Sequence, residues 1–172
     1  MKLDTLIDDI YGQLSELSEG RKFNLSDEDL DFTLARIKDS LLAWARPSER
    51  NSEFSLRMSN VGRPARQLWY EQNRESEPSV PSPSLQIKFL YGHLLEEILL
   101  MLVRASGHEV TDEQKEVTVK GVKGHIDCKI DGEVVDVKTA SKFAFNKFRE
   151  GRLREDDPFG YMSQLAGYEE AE

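Results

Sequence analysis

The chain has 172 residues, enough for one domain and hardly for two. Its 32 acidic and 23 basic side chains give a formal net charge of -9, and its 38% of hydrophobic residues argues against an intrinsically disordered chain. No apolar run is long enough for a membrane-spanning helix, and the acidic N-terminus lacks the apolar stretch of a secretory signal. The single cysteine, Cys128, excludes an internal disulfide and a cysteine-ligated zinc or iron–sulfur site. By charge alone, nucleic acid is a poor candidate partner.

The negative charge is concentrated at the two ends of the chain. Residues 1–31 carry nine acidic and three basic side chains, and residues 155–172 carry six acidic and no basic ones, so each segment has a net charge of -6. Residues 138–154 carry six basic side chains and one acidic one, a net charge of +5. Because salt screens charges beyond roughly 10 Å, local charge decides what a groove attracts. We predict a basic groove near 138–154 with the acidic ends facing away, and a solvated charged surface is the alternative.

Apolar periodicity predicts mostly helices in the first part of the chain. Phe54 to Met58 alternates apolar and polar residues and predicts a short strand. A proline- and serine-rich linker is predicted over 73–84. Helical spacing, caps and helix-ending residues predict helices over 3–18, 27–46, 63–70, 85–105 and 159–169.

After Glu116 the apolar residues alternate with polar ones, which predicts strands. Asp131 and Gly132 separate two alternating runs, and this dipeptide is a strong signal for a two-residue hairpin turn. In such a hairpin Asp127 lies opposite Asp136, and Lys138 lies about 7 Å farther along the same face. The opposite, core-facing side would hold Ile126, Cys128, Val135 and Val137.

Two opposed carboxylates repel each other unless water, a proton or a cation intervenes. Carboxylate oxygens suit a hard divalent ion such as Mg²⁺ or Mn²⁺, and an adjacent lysine suits the stabilisation of developing negative charge. Asp127, Asp136 and Lys138 therefore form a candidate metal-dependent site. A solvated hairpin with ordinary surface charges is the alternative that geometry alone leaves open.

Four short motifs occur in order along the chain. They are Gly-x-x-x-Glu over 92–96, Gly-x-x-Asp over 124–127, Asp-Val-Lys over 136–138 and Gln-x-x-x-Tyr over 164–168. Together with an arginine-containing helix over 61–70, they resemble the PD-(D/E)XK nuclease superfamily and its RecB-like exonuclease branch, which has phage-encoded members.

The resemblance implies roles for the motif residues. Lys138 would position the attacking water, while Gln164 and Tyr168, one helical turn apart, would line the site and touch DNA. Glu97 is the alternative ligand if the register of the first motif shifts by one residue. The implied ligands of Mg²⁺ or Mn²⁺ are three carboxylates and one backbone carbonyl: Glu96, Asp127, Asp136 and Val137.

Several other residues are predicted to contact DNA. Arginines near a helix N-terminus could clamp phosphates, small hydroxyls after the catalytic strand could bond phosphate oxygens, and lysines of the basic segment add positive charge. Solvated helix charges and turn-forming hydroxyls are the alternatives. The predicted residues are Arg63, Arg66, Thr139, Ser141, Lys142 and Lys147.

The resemblance also implies a fold. We expect an α/β nuclease core over 51–172, with a small mixed central β-sheet flanked by helices as in restriction endonucleases, and an N-terminal helical extension over 1–50. Such folds usually continue with another strand after Gln-x-x-x-Tyr, so the core is expected to be short or to lack its last strands. Some relatives hold an iron–sulfur cluster through cysteines, but Ala65 stands at one such position here, so no cluster is expected.

The expected function is Mg²⁺- or Mn²⁺-dependent cleavage of DNA phosphodiester bonds, with exonuclease preferred over endonuclease action. DNA is the expected partner and a membrane is not; a homo-oligomer or a partner protein of replication or recombination is also considered. The expected location is the bacterial cytoplasm, with a phage origin open. The alternatives are a catalytically silent nucleic-acid-binding or structural subunit of the same fold, and an acidic helical adaptor for protein interactions.

Overall fold

Seven α-helices and five short β-strands make up the described part of the chain, which in this computed structural model comprises residues 2–46, 54–73 and 80–171. The helices are α1 (Leu6–Ser18), α2 (Asp27–Ala45), α3 (Met58–Val61), α4 (Ala65–Asn73), α5 (Pro83–Ala105), α6 (Lys142–Arg149) and α7 (Tyr161–Ala171). The strands are β1 (Val110–Thr111), β2 (Glu116–Val119), β3 (Val122–His125), β4 (Cys128–Ile130) and β5 (Glu133–Val135). The expected α/β class with N-terminal helices is therefore confirmed. Within the described residues no helix is both long and apolar enough to cross a membrane.

The helix boundaries follow the capping residues that the sequence offers. The Ser26 side chain accepts a hydrogen bond from the N–H of Asp29 at 3.0 Å, which satisfies one free backbone donor at the start of α2. Ser82 caps α5 in the same way, and Pro83 occupies the first turn, where its missing N–H costs nothing. All five predicted helices are present, with ends within three residues of the prediction. The central part of the predicted linker, 74–79, lies outside the described residues.

The strand predicted from Phe54 to Met58 is wrong. Met58 begins α3, and the side chain of Asn60 accepts a hydrogen bond from the N–H of Arg57 at 2.8 Å, which turns the chain into that helix. Arg57 retains a single parallel bridge to Lys123. The alternating pattern was too short to distinguish a strand from a helix entry.

The strands form two small antiparallel sheets instead of one mixed central sheet, which corrects that expectation. One sheet has the strand order β1-β4-β5, and the other pairs β2 with β3. Asp131 and Gly132, with φ of 52° and 90°, form the turn between β4 and β5, so the predicted hairpin turn is confirmed. Two central residues with positive φ give the turn whose twist matches that of antiparallel strands.

The division into two sheets has a local cause between β3 and β4. There the N–H of Ile126 donates to the carbonyl of Lys115 at 3.1 Å, and the carbonyl of Asp127 accepts from the N–H of Gln114 at 3.0 Å. The backbone partners at this point thus come from the loop before β2. Because these bonds replace strand-to-strand hydrogen bonds, the two sheets do not join here. Of the alternating run that precedes the turn, only Cys128–Ile130 therefore form β4, and His125 is the last residue of β3.

By its contacts the chain divides into two compact units. Unit 1 contains α1, α2, α5, β1 and residues 129–133. Both α1 and α2 pack against α5, where Leu100 and Val103 are fully buried. Arg36 of α2 forms a salt bridge with Glu97 of α5, with 3.1 Å between Nη2 and Oε1, and the Glu97 side chain is buried.

His108 is a second buried polar group of unit 1. Its Nδ1 lies 2.6 Å from Oδ2 of Asp131, and its Nε2 lies 3.1 Å from Oδ2 of Asp9. The imidazole is completely shielded from solvent. It therefore connects α1 to the turn between β4 and β5.

Unit 2 contains α3, α4, α6, α7, β2, β3 and the chain from Val134 onward. Helix α7 packs against α3 and β2, and the core includes Met58, Val117, Ile126 and Tyr168. This core leaves no room for a side chain at Gly124, because a Cβ there would lie 2.6 Å from Cβ of Met58 and 2.7 Å from Cε1 of Tyr168. Close packing therefore explains why the first position of the Gly-x-x-Asp motif is a glycine in this chain.

Candidate active site

Asp127 and Asp136 are brought together by the β4–β5 hairpin. Asp127 directly precedes β4, and Asp136 directly follows β5, so the turn at residues 131 and 132 returns the chain to the same place. Both side chains belong to unit 2 and are mostly buried, with 17% and 11% exposed. The predicted proximity of these carboxylates is confirmed. On the other side of the hairpin Ile126 and Cys128 are fully buried, as predicted, whereas Val135 and Val137 are only half-buried.

Lys138 is in contact with both carboxylates. Its Nζ donates a hydrogen bond to Oδ1 of Asp136 at 2.6 Å and lies 3.9 Å from Oδ2 of Asp127. Lys138 follows Asp136 by two positions in the segment after β5, and the two side chains meet on one side of it. The structure therefore places the predicted pair of carboxylates and the predicted lysine in one cluster.

Gln164 and Tyr168 join this cluster from α7. Nε2 of Gln164 donates to Oδ1 of Asp136 at 3.2 Å and to the hydroxyl of Tyr168 at 3.1 Å. Both side chains are buried, and their separation by four residues puts them on one face of the helix. The Gln-x-x-x-Tyr motif thus supplies an amide that holds one carboxylate and a phenol that holds the amide.

The backbone after β5 is fixed by the first carboxylate. The N–H of Val137 donates to Oδ2 of Asp127 at 2.7 Å. This bond fixes the peptide between Asp136 and Val137, which adjoins the peptide whose carbonyl, that of Val137, would on the resemblance be a metal ligand. Val137 itself is half-buried.

The cluster perturbs its own ionisable groups. Burial and the nearby charge of Asp136 raise the pKa of Asp127, although Lys138 and the Val137 N–H oppose the shift. Burial lowers the pKa of Lys138, but the hydrogen bond to Asp136 and the two carboxylate charges outweigh it and leave that pKa raised. Burial also raises the pKa of Tyr168. Such shifts are typical of functional sites and also of structural ion clusters.

Glu96, the remaining predicted ligand, lies on α5 in unit 1, and its part in the site stays a prediction. Its neighbour Glu97 was the alternative ligand. Glu97 is instead occupied by the salt bridge to Arg36, with a second contact of 3.4 Å from Nε to Oε2. The structure thus gives Glu97 a packing role.

Whether the cluster suits a divalent ion can be judged from its donors. Asp127 and Asp136 are hard oxygen donors, and burial together with the nearby charge of Asp136 raises the pKa of Asp127, so a bound cation would favour its ionised form. Among the described residues no group of three or more His, Cys, Asp or Glu side chains is arranged to hold a metal. Mg²⁺ is commonly held by one or two carboxylates, with water and substrate phosphate as its other ligands. The two carboxylates fit that pattern.

A cleft of about 680 Å³ borders the cluster within unit 2. Asp127, Gln164 and Tyr168 line one part of it. The remaining lining includes hydroxyl, basic and acidic side chains. It includes Ser55, Arg57, Ser59, Glu116, Lys123 and His125.

From the sequence Arg57 was considered only as one of several arginines that could clamp phosphates, and Lys123 was not assigned to the candidate site. The two residues pair through their backbones, which brings two cationic side chains to the cleft. Part of this charge is balanced, since Nζ of Lys123 lies 3.0 Å from Oε1 of Glu116. Nothing local in the sequence identified Lys123 as the residue that pairs with Arg57.

The residues predicted to contact DNA have varied surroundings. Ser141 caps α6 by accepting a hydrogen bond from the N–H of Ala144 at 3.3 Å, as the turn-forming alternative expected. Lys147 forms a salt bridge with Asp156. Thr139 and Lys142 are exposed and adjoin the cluster in sequence.

The two predicted arginines lie at and near the start of α4. Arg63 is 3.1 Å from Oε1 of Glu71, so its charge is partly balanced. The guanidinium of Arg66 lies over the ring of Tyr70, 5.7 Å from the ring centroid. Contacts of either residue with DNA stay a prediction.

No family model, curated protein or solved structure matches the chain.

Proposed function

We propose that the chain is a metal-dependent deoxyribonuclease, with exonuclease action preferred over endonuclease action. The observation that carries this proposal is the cluster of Asp127, Asp136 and Lys138 beside a cleft with basic side chains. The order of the four motifs and their resemblance to RecB-like nucleases add support. A negatively charged chain can bind DNA through such a site because charge acts locally.

Asp127 and Asp136 would hold Mg²⁺ or Mn²⁺, with the carbonyl of Val137 and Glu96 as further ligands. A bound divalent ion supplies Lewis-acid polarisation of the phosphate and a water of lowered pKa. Lys138 donates hydrogen bonds from Nζ and would hold the attacking water or a phosphate oxygen. Its position 2.6 Å from Asp136 keeps this donor at the carboxylate pair.

Gln164 is a positioning residue in this proposal. It donates to Asp136 and is itself fixed by Tyr168, so the carboxylate has one orientation. Preorganised groups of this kind contribute to catalysis because they need no rearrangement during the reaction.

The test uses end-labelled linear DNA and closed circular DNA, each single- or double-stranded, with Mg²⁺, Mn²⁺ or EDTA. Cleavage of linear DNA only, and only with the metal, is the expected result. Lys138→Ala and Asp136→Asn should lower the rate about 10²- to 10³-fold, the loss typical when one preorganised stabilising group is removed.

Glu133→Gln is the matched control, since it removes an exposed carboxylate three residues before Asp136 and should keep full activity. Cleavage that persists in EDTA or in Asp136→Asn would overturn the proposed chemistry. Binding of DNA without cleavage under every condition would favour the catalytically silent subunit, and no binding at all would favour the protein-interaction adaptor.

A further inference from the structure

Three aromatic rings form a surface cluster in unit 2 that the proposed chemistry does not use. The centroid of Tyr161 lies 6.0 Å from that of Phe148 and 5.5 Å from that of Phe159. Both pairs have an interplanar angle of 30°, so the three rings are inclined by modest angles to their neighbours. Phe159 is 60% exposed and Phe148 is 39% exposed, although rings of this size are normally buried.

The cluster is continuous with the candidate active site. Nζ of Lys138 lies 5.9 Å from the centroid of the Tyr161 ring, while the same atom contacts Asp136. Tyr161 is also the first residue of α7, the helix that carries Gln164 and Tyr168. A group bound on the rings would therefore lie next to the carboxylate pair.

The charge near the rings is mixed, because Phe148 lies in the basic segment 138–154 whereas Phe159 and Tyr161 lie in the acidic segment 155–172. Residues 138–154, which include α6, have a net charge of +5. Three of the acidic groups nearby in sequence are already engaged: Asp156 with Lys147, Glu150 with Arg152, and Asp157 with the N–H groups of Tyr161 and Met162. Arg149 and Arg154 are exposed.

We propose that Phe148, Tyr161 and Phe159 stack on bases of single-stranded DNA and so hold a strand beside the carboxylate pair. This inference rests on the proposed function and names its substrate as a single strand or a frayed end. Bases in a duplex are stacked on each other and present no free face to a protein ring, whereas unpaired bases do. Basic side chains that accompany exposed rings supply the contacts to the backbone phosphates.

The test measures binding in EDTA, where the proposed cleavage does not occur. The probe is a fluorescein-labelled oligothymidine of about 20 nucleotides, followed by anisotropy, with a blunt duplex of equal length as comparison. Phe159→Ala should weaken single-strand binding about 5- to 100-fold and change duplex binding little, since stacking contributes this much per base. Phe159→Trp should retain binding, and its added indole fluorescence should be quenched by the oligonucleotide.

Tyr11→Ala is the matched control, because Tyr11 is 66% exposed on α1 in the acidic N-terminal segment and should have no effect. Equal losses for single strand and duplex would overturn the proposal, as would unchanged single-strand binding by Phe159→Ala. A loss confined to an oligouridine probe would also overturn it, in favour of RNA. Since binding is read in EDTA, an inactive but strand-binding protein would count against the nuclease proposal and leave the stacking surface supported.

Discussion

Gln164 and Asp136 are joined by a hydrogen bond of 3.2 Å from Nε2 to Oδ1, between two side chains that are 28 positions apart in sequence. The same carboxylate oxygen accepts the bond from Lys138, so it has two donors from two different elements. This arrangement links α7 to the segment after β5. The final helix is thereby part of the candidate site as well as of the core.

Gln164→Ala should lower the stability of the fold and disturb the orientation of the Asp136 carboxylate. It removes one donor to Asp136 and the partner of the Tyr168 hydroxyl, both in buried surroundings, so the free energy of unfolding should fall by about 1–3 kcal/mol. Urea unfolding followed by circular dichroism measures this loss. Gln67→Ala, which removes an exposed hydrogen bond to Glu71, should change stability by less than about 0.5 kcal/mol. Equal effects of the two substitutions would contradict the role given to Gln164.

Gly124→Ala should be destabilising by about 1–3 kcal/mol, because the new methyl group would overlap Met58 and Tyr168. Gly12→Ala is its control: Gly12 lies within α1 with no atom near the position of a Cβ, and alanine there should stabilise by up to about 1 kcal/mol. Thermal unfolding of both variants measures the difference. A neutral Gly124→Ala would mean that the core around Tyr168 can move aside.

Arg36→Ala should leave the buried carboxylate of Glu97 without this partner and cost about 3–5 kcal/mol. Replacement of both residues, as Arg36→Met with Glu97→Leu, should restore much of that loss, because no charge remains to be buried. Denaturant unfolding of the single and double variants gives the comparison. The control Lys38→Ala, on the exposed side of α2, should be close to wild type. A double variant as unstable as the single one would argue against the buried charge as the cause.

Because of His108, the free energy of unfolding should depend on pH in the acid range. The hydrogen bond of His108, with a smaller contribution from the Glu109 N–H, lowers the pKa of Asp131, while the Thr5 hydroxyl and then His108 lower the pKa of Asp9. A carboxyl group whose pKa is lowered in the folded state stabilises the fold at pH values above its ordinary pKa of about 4. This contribution is lost as the pH falls through the folded-state pKa.

His108→Ala should therefore be less stable than wild type at pH 7 and should lose less of its remaining stability below about pH 4. Urea unfolding at a series of pH values between neutral and acid conditions measures both effects. His93→Ala, with an exposed side chain on α5, provides the reference. An unchanged pH dependence in His108→Ala would show that the two carboxyl groups do not need the imidazole.

Binding of the proposed ion can be measured without any substrate. Mn²⁺ should raise the thermal unfolding temperature, and a concentration of 100 times Kd would correspond to about 2.7 kcal/mol of stabilisation. EDTA should reverse the increase, and Asp136→Asn should abolish it. Glu133→Gln should behave as wild type, so an equal response in Asp136→Asn would assign the effect to another site.

The sequence was informative where the structure depends on local signals. The ends of α2 follow from Ser26 and the apolar spacing, and the β4–β5 turn follows from Asp131 and Gly132, whose backbone conformation this dipeptide favours. The proximity of Asp127, Asp136 and Lys138 then followed from strand geometry. These features need no knowledge of distant residues.

The remaining features depend on contacts that no local pattern encodes. His108 had no visible partner in the sequence, because Asp9 lies 99 positions away, and Glu97 gave no indication of Arg36, 61 positions away. The single mixed sheet was wrong because the bonds of Ile126 and Asp127 to the preceding loop interrupt the ladder. Periodicity predicts which face of an element is buried but does not identify what covers it.

The bond between the Val137 N–H and the Asp127 carboxylate affects how substitutions at this site should be read. Alanine at position 127 would remove a negative charge and would also release the peptide between Asp136 and Val137. Asparagine would remove the charge but could still accept the bond through its amide oxygen. The difference between the two variants therefore separates electrostatics from backbone anchoring, and an alanine scan alone would attribute both to the carboxylate.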